Sequence, residues 1–213
     1  NLPITANPAP GATQYNIALD VAGFAADKMV MGQKIEAQAL KVTANNLGYQ
    51  IKGDVRINGT PAALDYSKLA ASGEADVRVQ TTLDEAARAR FGFSTGSSLS
   101  GPVPIKISGK VSDNKDVRLQ IDADLTPAKV ENLLPGWTKP SGRSNRASFV
   151  LVTRDKATRF ENLVIDGSGA NVRGNIELDA AGDLVSASFP VFALSDGDKT
   201  SLKAERSPDG VLK

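Results

Sequence analysis

Two short serine motifs are the first features of this sequence that could perform covalent chemistry. Gly92-Phe93-Ser94-Thr95-Gly96 fits the G-x-S-x-G pattern of hydrolases, in which the serine stands between a strand and a helix. Here a predicted helix precedes the serine, and the chain contains no histidine to act as its base. Ser112-Asp113-Asn114-Lys115 fits the S-x-x-K pattern of acylases, but Asp113-Asn114 lies between two alternating runs and predicts a hairpin turn. Neither motif therefore predicts a catalytic site.

Two pairs of aspartates are the remaining candidates for acid–base or metal chemistry. Asp122 and Asp124 fit the solvated side of a strand, whereas Asp196 and Asp198 flank Gly197 and fit a turn, with weak calcium binding as the alternative. The chain has no cysteine and no histidine, so it lacks the usual thiol nucleophile, general base and transition-metal ligand. We therefore expect a protein that is not an enzyme, with no catalytic residue, no metal and no cofactor.

Charge and hydropathy argue against nucleic-acid binding and against a membrane-spanning helix in this sequence. The 25 basic and 24 acidic residues are spread along the chain without a basic block, which argues against nucleic-acid binding. No apolar run approaches the roughly 20 residues that a membrane-spanning helix needs. The chain begins at Asn1, and the turn signal at Ser207-Pro208-Asp209-Gly210 is followed by only three residues. We expect it to be a segment of a longer protein.

The elements that would position any site are mainly β-strands. Apolar and polar residues alternate in runs separated by Gly, Asn and Asp, which is typical of antiparallel strands with one dry face. The alternating runs lie at 15–22, 49–57, 76–80, 103–110, 117–125 and 172–179. The sequence predicts a mainly β fold, with a curved or twisted antiparallel sheet that is open like a groove or closed like a sandwich. Residues 1–13 are predicted to be a linker or edge segment, and residues 14–213 one β-rich segment of a longer, repeat-like protein.

Two short helices are predicted beside these strands. Asp84 is placed to cap a helix over 85–91, and Thr126 to cap a second one that ends at Pro135-Gly136. In the second helix an apolar stripe is expected to dock on the sheet, and it consists of Val130, Leu133, Leu134 and Trp137. Each helix follows a similar strand, so that strand, short helix, loop and strand form a predicted internal repeat over about 77–116 and 117–154.

One apolar face is the best candidate for a binding surface. Two alternating runs joined by a short turn place six aliphatic residues on one side of a hairpin. These residues are Val103, Ile105, Ile107, Val117, Leu119 and Ile121. Alternation of this kind fits either an open, lipid-accessible groove or the core of a closed sandwich, and the pattern alone leaves both readings open.

Several segments of the chain also carry a family likeness when they are read in order. They are Lys52-Gly53-Asp54-Val55 with Gly59-Thr60-Pro61-Ala62, Leu83-Asp84-Glu85-Ala86-Ala87-Arg88 with Phe91-Gly92, Leu99-Ser100-Gly101-Pro102, Asp124-Leu125-Thr126 with Leu134-Pro135-Gly136-Trp137-Thr138-Lys139-Pro140, and Val172-Arg173-Gly174-Asn175-Ile176, followed by Ser188-Phe189 and by Arg206-Ser207-Pro208-Asp209-Gly210. Together they span roughly residues 50 to 213, and their order and spacing matter more than any one motif. The chain resembles the AsmA-like proteins of the bacterial envelope, in particular the large YhdP-type branch.

The resemblance implies a periplasmic protein that is anchored to the inner membrane through a helix outside this chain. It implies a long twisted sheet whose hydrophobic β groove conducts phospholipid between the inner and outer membranes, a role in outer membrane biogenesis. The implied partners are phospholipid acyl chains and the membrane, with further envelope proteins left open and no catalytic residues to carry over. The alternative is a non-catalytic structural or protein-binding β module of the cell envelope.

Overall fold

A computed structural model describes residues 14–27, 32–92, 95–114, 116–134, 136–154, 157–198 and 200–207. Its strands are β1 (Asn16–Ala26), β2 (Ile35–Asn45), β3 (Gly48–Ile57), β4 (Thr60–Leu69), β5 (Glu74–Leu83), β6 (Leu99–Ser100), β7 (Val103–Ser112), β8 (Val117–Asp124), β9 (Lys129–Glu131), β10 (Thr138–Lys139), β11 (Arg146–Arg154), β12 (Ala157–Gly167), β13 (Ala170–Leu178), β14 (Leu184–Ala193) and β15 (Leu202–Glu205). One α-helix, α1 (Glu85–Arg90), and one 3-10 turn at Gly96–Ser98 accompany them in the described part of the chain. Within these ranges no helix has the length and hydropathy of a membrane span.

The strands form a large antiparallel sheet, as the alternation predicts, and this sheet is not closed. Its order is β1-β2-β3-β4-β5-β7-β8-β11-β12-β13-β14-β15, so it follows the order of the chain, and β9 lies between β6 and β10 in a second, three-stranded sheet. The chain divides into two compact units, unit 1 (residues 1–79 with 110–115) and unit 2 (residues 80–109 with 116–213). The prediction of a single segment over 14–213 is not tested by this division, and residues 1–13 lie outside the described ranges.

Turn chemistry sets the hairpins. In the turn between β3 and β4, Asn58 and Gly59 both have positive φ, at 48° and 80°, which is the backbone of a type I′ turn. The turn between β12 and β13 uses Ser168 and Gly169 in the same way, at 51° and 82°. Since a two-residue turn fixes which residues face each other, these turns set the register that keeps the apolar residues on one side.

In unit 1 the pairing register places the apolar residues on a single face. Leu19 lies opposite Val42, Val42 opposite Ile51, and Ile51 opposite Tyr66, across four consecutive strands. Directly opposed residues share a face of an antiparallel sheet, so this row crosses β1 to β4 on one side. Tyr66 also stacks with Tyr49 of β3, and the centroids of the two rings are 6.0 Å apart.

In unit 2 the same rule builds a longer row. Leu119 faces Leu151, Leu151 faces Phe160, and Phe160 faces Ile176, which in turn faces Ala187. The register shifts between Arg173 and Asn175, where Gly174 lies against the neighbouring strand. A Cβ at Gly174 would overlap the carbonyl oxygen of Ser188. The glycine therefore permits a β-bulge, which bends the strand and increases its local twist.

One of the two predicted helices is present in the structure. Asp84 caps α1 by accepting a hydrogen bond from the backbone N–H of Ala87 at 2.7 Å, which confirms the first helix. The second is wrong, because the segment after Thr126 forms turns and then β9, where Val130 pairs with Leu99 and with Lys139. A helix this short is marginal in isolation, so pairing with two strands outweighs its local signals. The predicted strand–helix–strand repeat fails for the same reason, since the first copy contains α1 and the described residues of the second copy contain no helix.

Candidate functional site

The candidate site is the apolar face of unit 2, part of which is covered. The covered part packs under a structure that we call the cap, consisting of β6 and residues 125–145 with β9 and β10. Its buried cluster comprises Leu99, Val103, Leu125, Ala128, Val130, Trp137 and Ala170, with Ile105, Ala123, Leu133, Leu134, Ala147, Ile165 and Leu194 packed against it. The cap closes one part of the apolar face in the manner of a sandwich core.

The rest of the face lies outside this cluster, and we call it the open apolar face. Its members are the half-buried side chains of Ile107, Ile121, Phe149, Leu151, Phe160 and Ile176. None of them belongs to the cluster under the cap. Phe149 and Phe160 lie in contact, with ring centroids 5.4 Å apart, and give this surface an aromatic centre. The open apolar face thus places six partly exposed hydrophobic side chains on one side of neighbouring strands.

The six residues predicted from the hairpin differ in their burial, and of the six, Val103 belongs to the buried cluster under the cap. Val103, Val117 and Leu119 are buried, with 3%, 3% and 6% of their surface exposed. Ile105 packs against the cluster under the cap, whereas Ile107 and Ile121 are half-buried and belong to the open apolar face. The sequence pattern therefore selects one side of the sheet but does not distinguish covered from uncovered positions.

The four residues predicted to dock a helix lie in the cap without forming a helix. Val130 and Trp137 are fully buried in its cluster, and Leu133 and Leu134 are partly buried against it. Their apolar spacing is also compatible with a compact turn-and-strand segment, because a tight loop can direct residues at several spacings toward one surface. The Trp137 N–H has no hydrogen-bond partner among the described residues.

Two buried cations hold the cap together, and sequence reasoning missed both. Arg88 on α1 is 5% exposed, and its guanidinium donates to the carbonyls of Leu99, Gly101 and Leu83 at 2.6, 2.8 and 3.1 Å. It thereby ties α1 to β6 and to the segment that enters β7. A planar group with five donors suits carbonyls that converge from several directions.

Lys139 on β10 is the second cation, with 1% of its surface exposed. Its Nζ lies 2.6 Å from the carbonyl oxygen of Ala128, 3.0 Å from that of Pro140, 3.2 Å from that of Arg143 and 3.4 Å from that of Thr126. Burial lowers the pKa of Lys139, and the opposing charge of Asp124 raises it in part. Nothing in the local sequence marks this lysine, since a lysine between Thr138 and Pro140 looks like a solvated loop residue.

Charged residues of unit 2 lie on the opposite side of the sheet from the open apolar face. Arg118 pairs with Glu161 at 2.9 Å, and Arg159 pairs with Glu177 at 3.0 Å, on the side that also carries the exposed Asp122. These residues alternate along their strands with members of the apolar rows. The sheet thus separates an uncharged side from a charged side.

The sequence motifs considered for catalysis do not assemble into a site. Ser112 ends β7, and Asp113-Asn114 form the predicted turn, while Ser94 and Lys115 lie outside the described residues. Asp198 accepts hydrogen bonds at 2.9 Å from both the backbone N–H and the hydroxyl of Ser195, so it closes a turn as predicted. No group of three or more acidic side chains placed to hold a metal occurs in the described ranges.

Unit 1 carries its own apolar side, which becomes exposed at β1. Tyr15, Ile17 and Leu19 have 46%, 43% and 54% of their surface exposed. Further along the sheet, Leu40 and Val55 are buried at 4% and 3%. In unit 1 the described strands belong to the large sheet only, so no second sheet covers this side.

Comparison with known proteins gives no relative. No family model, no curated protein and no solved structure matches this chain.

Proposed function

We propose that the chain is a periplasmic segment of an AsmA-like envelope protein, which binds phospholipid acyl chains along the apolar side of its sheet and conducts them between the inner and outer membranes. The observation that carries the proposal is the open apolar face, six half-buried aliphatic and aromatic side chains beside a cap that buries only part of the same side. The resemblance of the sequence segments to the YhdP-type proteins supports the same role.

The energetic argument concerns the acyl chains. A phospholipid with two chains exposes roughly thirty methylenes, and at about 0.8 kcal/mol each their transfer through water costs more than about 20 kcal/mol. A continuous apolar surface removes much of this barrier because each methylene exchanges water for hydrocarbon contacts. A surface of Ile, Leu and Phe without a charged group offers no point at which a headgroup would be held tightly, which suits movement along it.

The separation of charge across the sheet supports this reading. The ion pairs Arg118–Glu161 and Arg159–Glu177 keep the other side of unit 2 hydrated. Because one side of the sheet is charged and the other apolar, acyl chains contact only the apolar side. The alternative, a non-catalytic structural module, would use the same dry side to bind protein.

The test compares two substitutions at neighbouring positions of β8. Ile121→Glu places a carboxylate on the open apolar face, and Gln120→Glu places the same group on the charged side. Because Ile121 is only half-buried, its replacement can reach water, and we expect both variants to remain folded. Lipid that co-purifies with the parent and with Gln120→Glu should be lost from Ile121→Glu, as measured by mass spectrometry of extracted lipid.

Three results would argue against the proposal. Absence of lipid from the parent protein, purified without detergent and after incubation with phospholipid vesicles, would favour the structural module. Equal lipid content in both variants would place any lipid site away from Ile121. Unfolding of Ile121→Glu, with Gln120→Glu intact, would indicate that this position belongs to a closed core, since an unpaired buried charge costs several kcal/mol.

A further inference from the structure

The apolar side of unit 1 carries a small group of polar side chains at one end of β3 and β4. Tyr49 lies directly opposite Lys68, and one row further along the same strands Ile51 lies opposite Tyr66. Directly opposed residues, and residues two positions apart on one strand, share a face of an antiparallel sheet. All four therefore lie on the side of Val42, which faces Ile51 from β2. We call Tyr49, Tyr66 and Lys68 the polar end of this side.

The members of the polar end interact with one another and with the turn between β7 and β8. The rings of Tyr49 and Tyr66 stack, with an angle of 30° between their planes. The ammonium of Lys68 forms an ion pair with the carboxylate of Asp113. The backbone N–H of Asp113 donates to the carbonyl of Gly73 at 3.0 Å, which fixes this turn beside the end of β4. Two tyrosines, a cation and its counter-ion thus form one group within unit 1.

Lys68 is an exception to the alternation of the two strands. In β3 and β4, which the structure describes throughout, it is the only charged side chain on the apolar side. Lys52 and Asp65 form their ion pair at 3.3 Å on the opposite side. The side chain of Lys68 is 21% exposed and that of Asp113 is 68% exposed, so the cation remains accessible from water and its partner is loosely placed.

Polarity on this side of unit 1 changes along the strands. Away from the polar end the side chains are aliphatic, with Ile51, Val42 and Leu64 half-buried and Leu40 and Val55 buried. A phospholipid has the same order of groups, from phosphate through ester to hydrocarbon. Tyrosine is enriched in proteins where hydrocarbon meets the polar layer of a lipid, because its ring is apolar and its hydroxyl is not.

We propose that the polar end binds the phosphate and ester groups of a phospholipid whose acyl chains lie on the apolar side of unit 1. The proposal rests on the proposed function and adds the direction of the bound lipid. Lys68 pairs with the phosphate, and the tyrosine rings lie at the level of the esters. Asp113 competes with the phosphate for the same ammonium, which keeps the binding weak enough for release. The open apolar face of unit 2, by contrast, has no charged member.

The test offers the protein two lipids that differ only in the phosphate-bearing headgroup. Protein is incubated with vesicles that contain equal amounts of phosphatidylglycerol and diacylglycerol with the same acyl chains. The protein is then re-isolated, and mass spectrometry of the extracted lipid gives the ratio of the two. Lys68→Gln removes the cation, and Lys52→Gln is the matched control on the opposite side of the sheet. Asp113→Asn removes the competing carboxylate, and Asp65→Asn is its control. Circular dichroism verifies that each variant is folded.

The parent should take up more phosphatidylglycerol than diacylglycerol. We expect Lys68→Gln to lower the ratio of the two by about twofold to fivefold, the range of a partly exposed ion pair. Asp113→Asn should raise the ratio, because the phosphate then has no competitor for the ammonium. Lys52→Gln and Asp65→Asn should leave it unchanged, and added salt should lower it in the parent.

The possible failures are distinguishable. Uptake of both lipids without preference, a ratio that Lys68→Gln leaves unchanged, or a ratio that Asp113→Asn lowers would overturn the assignment of the polar end, although the chain would still bind lipid. A parent that takes up neither lipid would overturn both this assignment and the proposed function.

Discussion

Replacing Lys139 by methionine tests the account of the cap most directly. The substitution keeps most of the side-chain volume and removes the ammonium that donates to backbone carbonyls. The ammonium has three N–H donors and four carbonyl oxygens within 3.4 Å, so at most three of these contacts are made at once. Loss of the donor should therefore be felt most at the carbonyl that is shielded from water.

The magnitude follows from which of these carbonyls reach water. Ala128 is fully buried and its oxygen makes the shortest contact, at 2.6 Å, whereas Pro140 and Arg143 are exposed. A buried carbonyl left without a donor costs about 1–3 kcal/mol, and we expect Lys139→Met to lower the free energy of unfolding by that amount. The control is Lys129→Met on the neighbouring strand β9. Its exposed ion pair with Glu131 at 2.8 Å should contribute less than about 1 kcal/mol.

The assay is urea denaturation followed by two signals. Trp137 is the only tryptophan and is buried in the cap, so its fluorescence should be blue-shifted, shielded from iodide, and specific for the cap. Circular dichroism reports the sheet. We expect Lys139→Met to lose the tryptophan signal at a lower urea concentration than the parent, whereas Lys129→Met should follow the parent closely.

The pH dependence has a definite sign. Burial lowers the pKa of Lys139 below its ordinary value of 10.5, so the folded protein holds this proton less tightly than the unfolded chain does. The cost of burying the charge is present at neutral pH and falls as pH rises through the lowered pKa toward 10.5, a gain in stability that Lys139→Met should lack. A Lys139→Met variant as stable as the parent would show that this cost offsets the contacts and would refute the reasoning.

Further predictions concern a tyrosine, a turn and a glycine. Burial, with smaller contributions from Tyr49 and the charge of Asp113, raises the pKa of Tyr66 to about 12. The stability of the fold should therefore decline as pH rises from 10 toward 12. In a pH titration, Tyr66→Phe should abolish the phenolate absorbance that appears last. Hydrogen bonds from Ser195 and the Leu194 N–H lower the pKa of Asp198. The stability that these bonds contribute is therefore complete above the ordinary aspartate pKa and is lost as pH falls through the lowered pKa. In melting curves recorded at a series of acidic pH values, Asp198→Asn should weaken this loss of stability, and Asp196→Asn should not. Gly174→Ala should lower the free energy of unfolding in urea by about 1–3 kcal/mol, because the new Cβ would overlap the Ser188 carbonyl. Gly73→Ala, with open space around the new Cβ, should change it little. Equal effects of the two substitutions would contradict the argument that Gly174 permits the bulge.

The strands were predictable from the sequence because their signal is repeated at every second residue. Val117, Leu119 and Ile121 alternate with polar neighbours, and the register of β8 with β11 keeps them on one side, as expected. The first helix was predictable for a similar reason, since Asp84 provides a local cap that needs no distant partner.

The cap was not predictable, because its conformation depends on distant residues. The segment after Thr126 contains a cap residue, a proline and an apolar spacing that all favour a helix, yet Val130 pairs with Leu99, which lies 31 positions earlier. Arg88 and Lys139 give no signal either, because their partners are backbone carbonyls, which every residue has. The burial of single apolar residues was not predictable either, since Leu119 is buried and Ile121 half-buried although both lie on the same side of β8.

The order of strands in the large sheet has a consequence for how the protein forms. Except where the cap is inserted, each strand pairs with the strand that precedes or follows it in the chain, so hairpins can close without waiting for distant segments. The edge of the growing sheet then serves as the template for the next hairpin, and the protein can assemble in the direction of its synthesis. The cap joins distant segments, so we expect it to form after the hairpins. During refolding, the fluorescence of Trp137, which lies in the cap, should therefore change after the circular dichroism of the sheet.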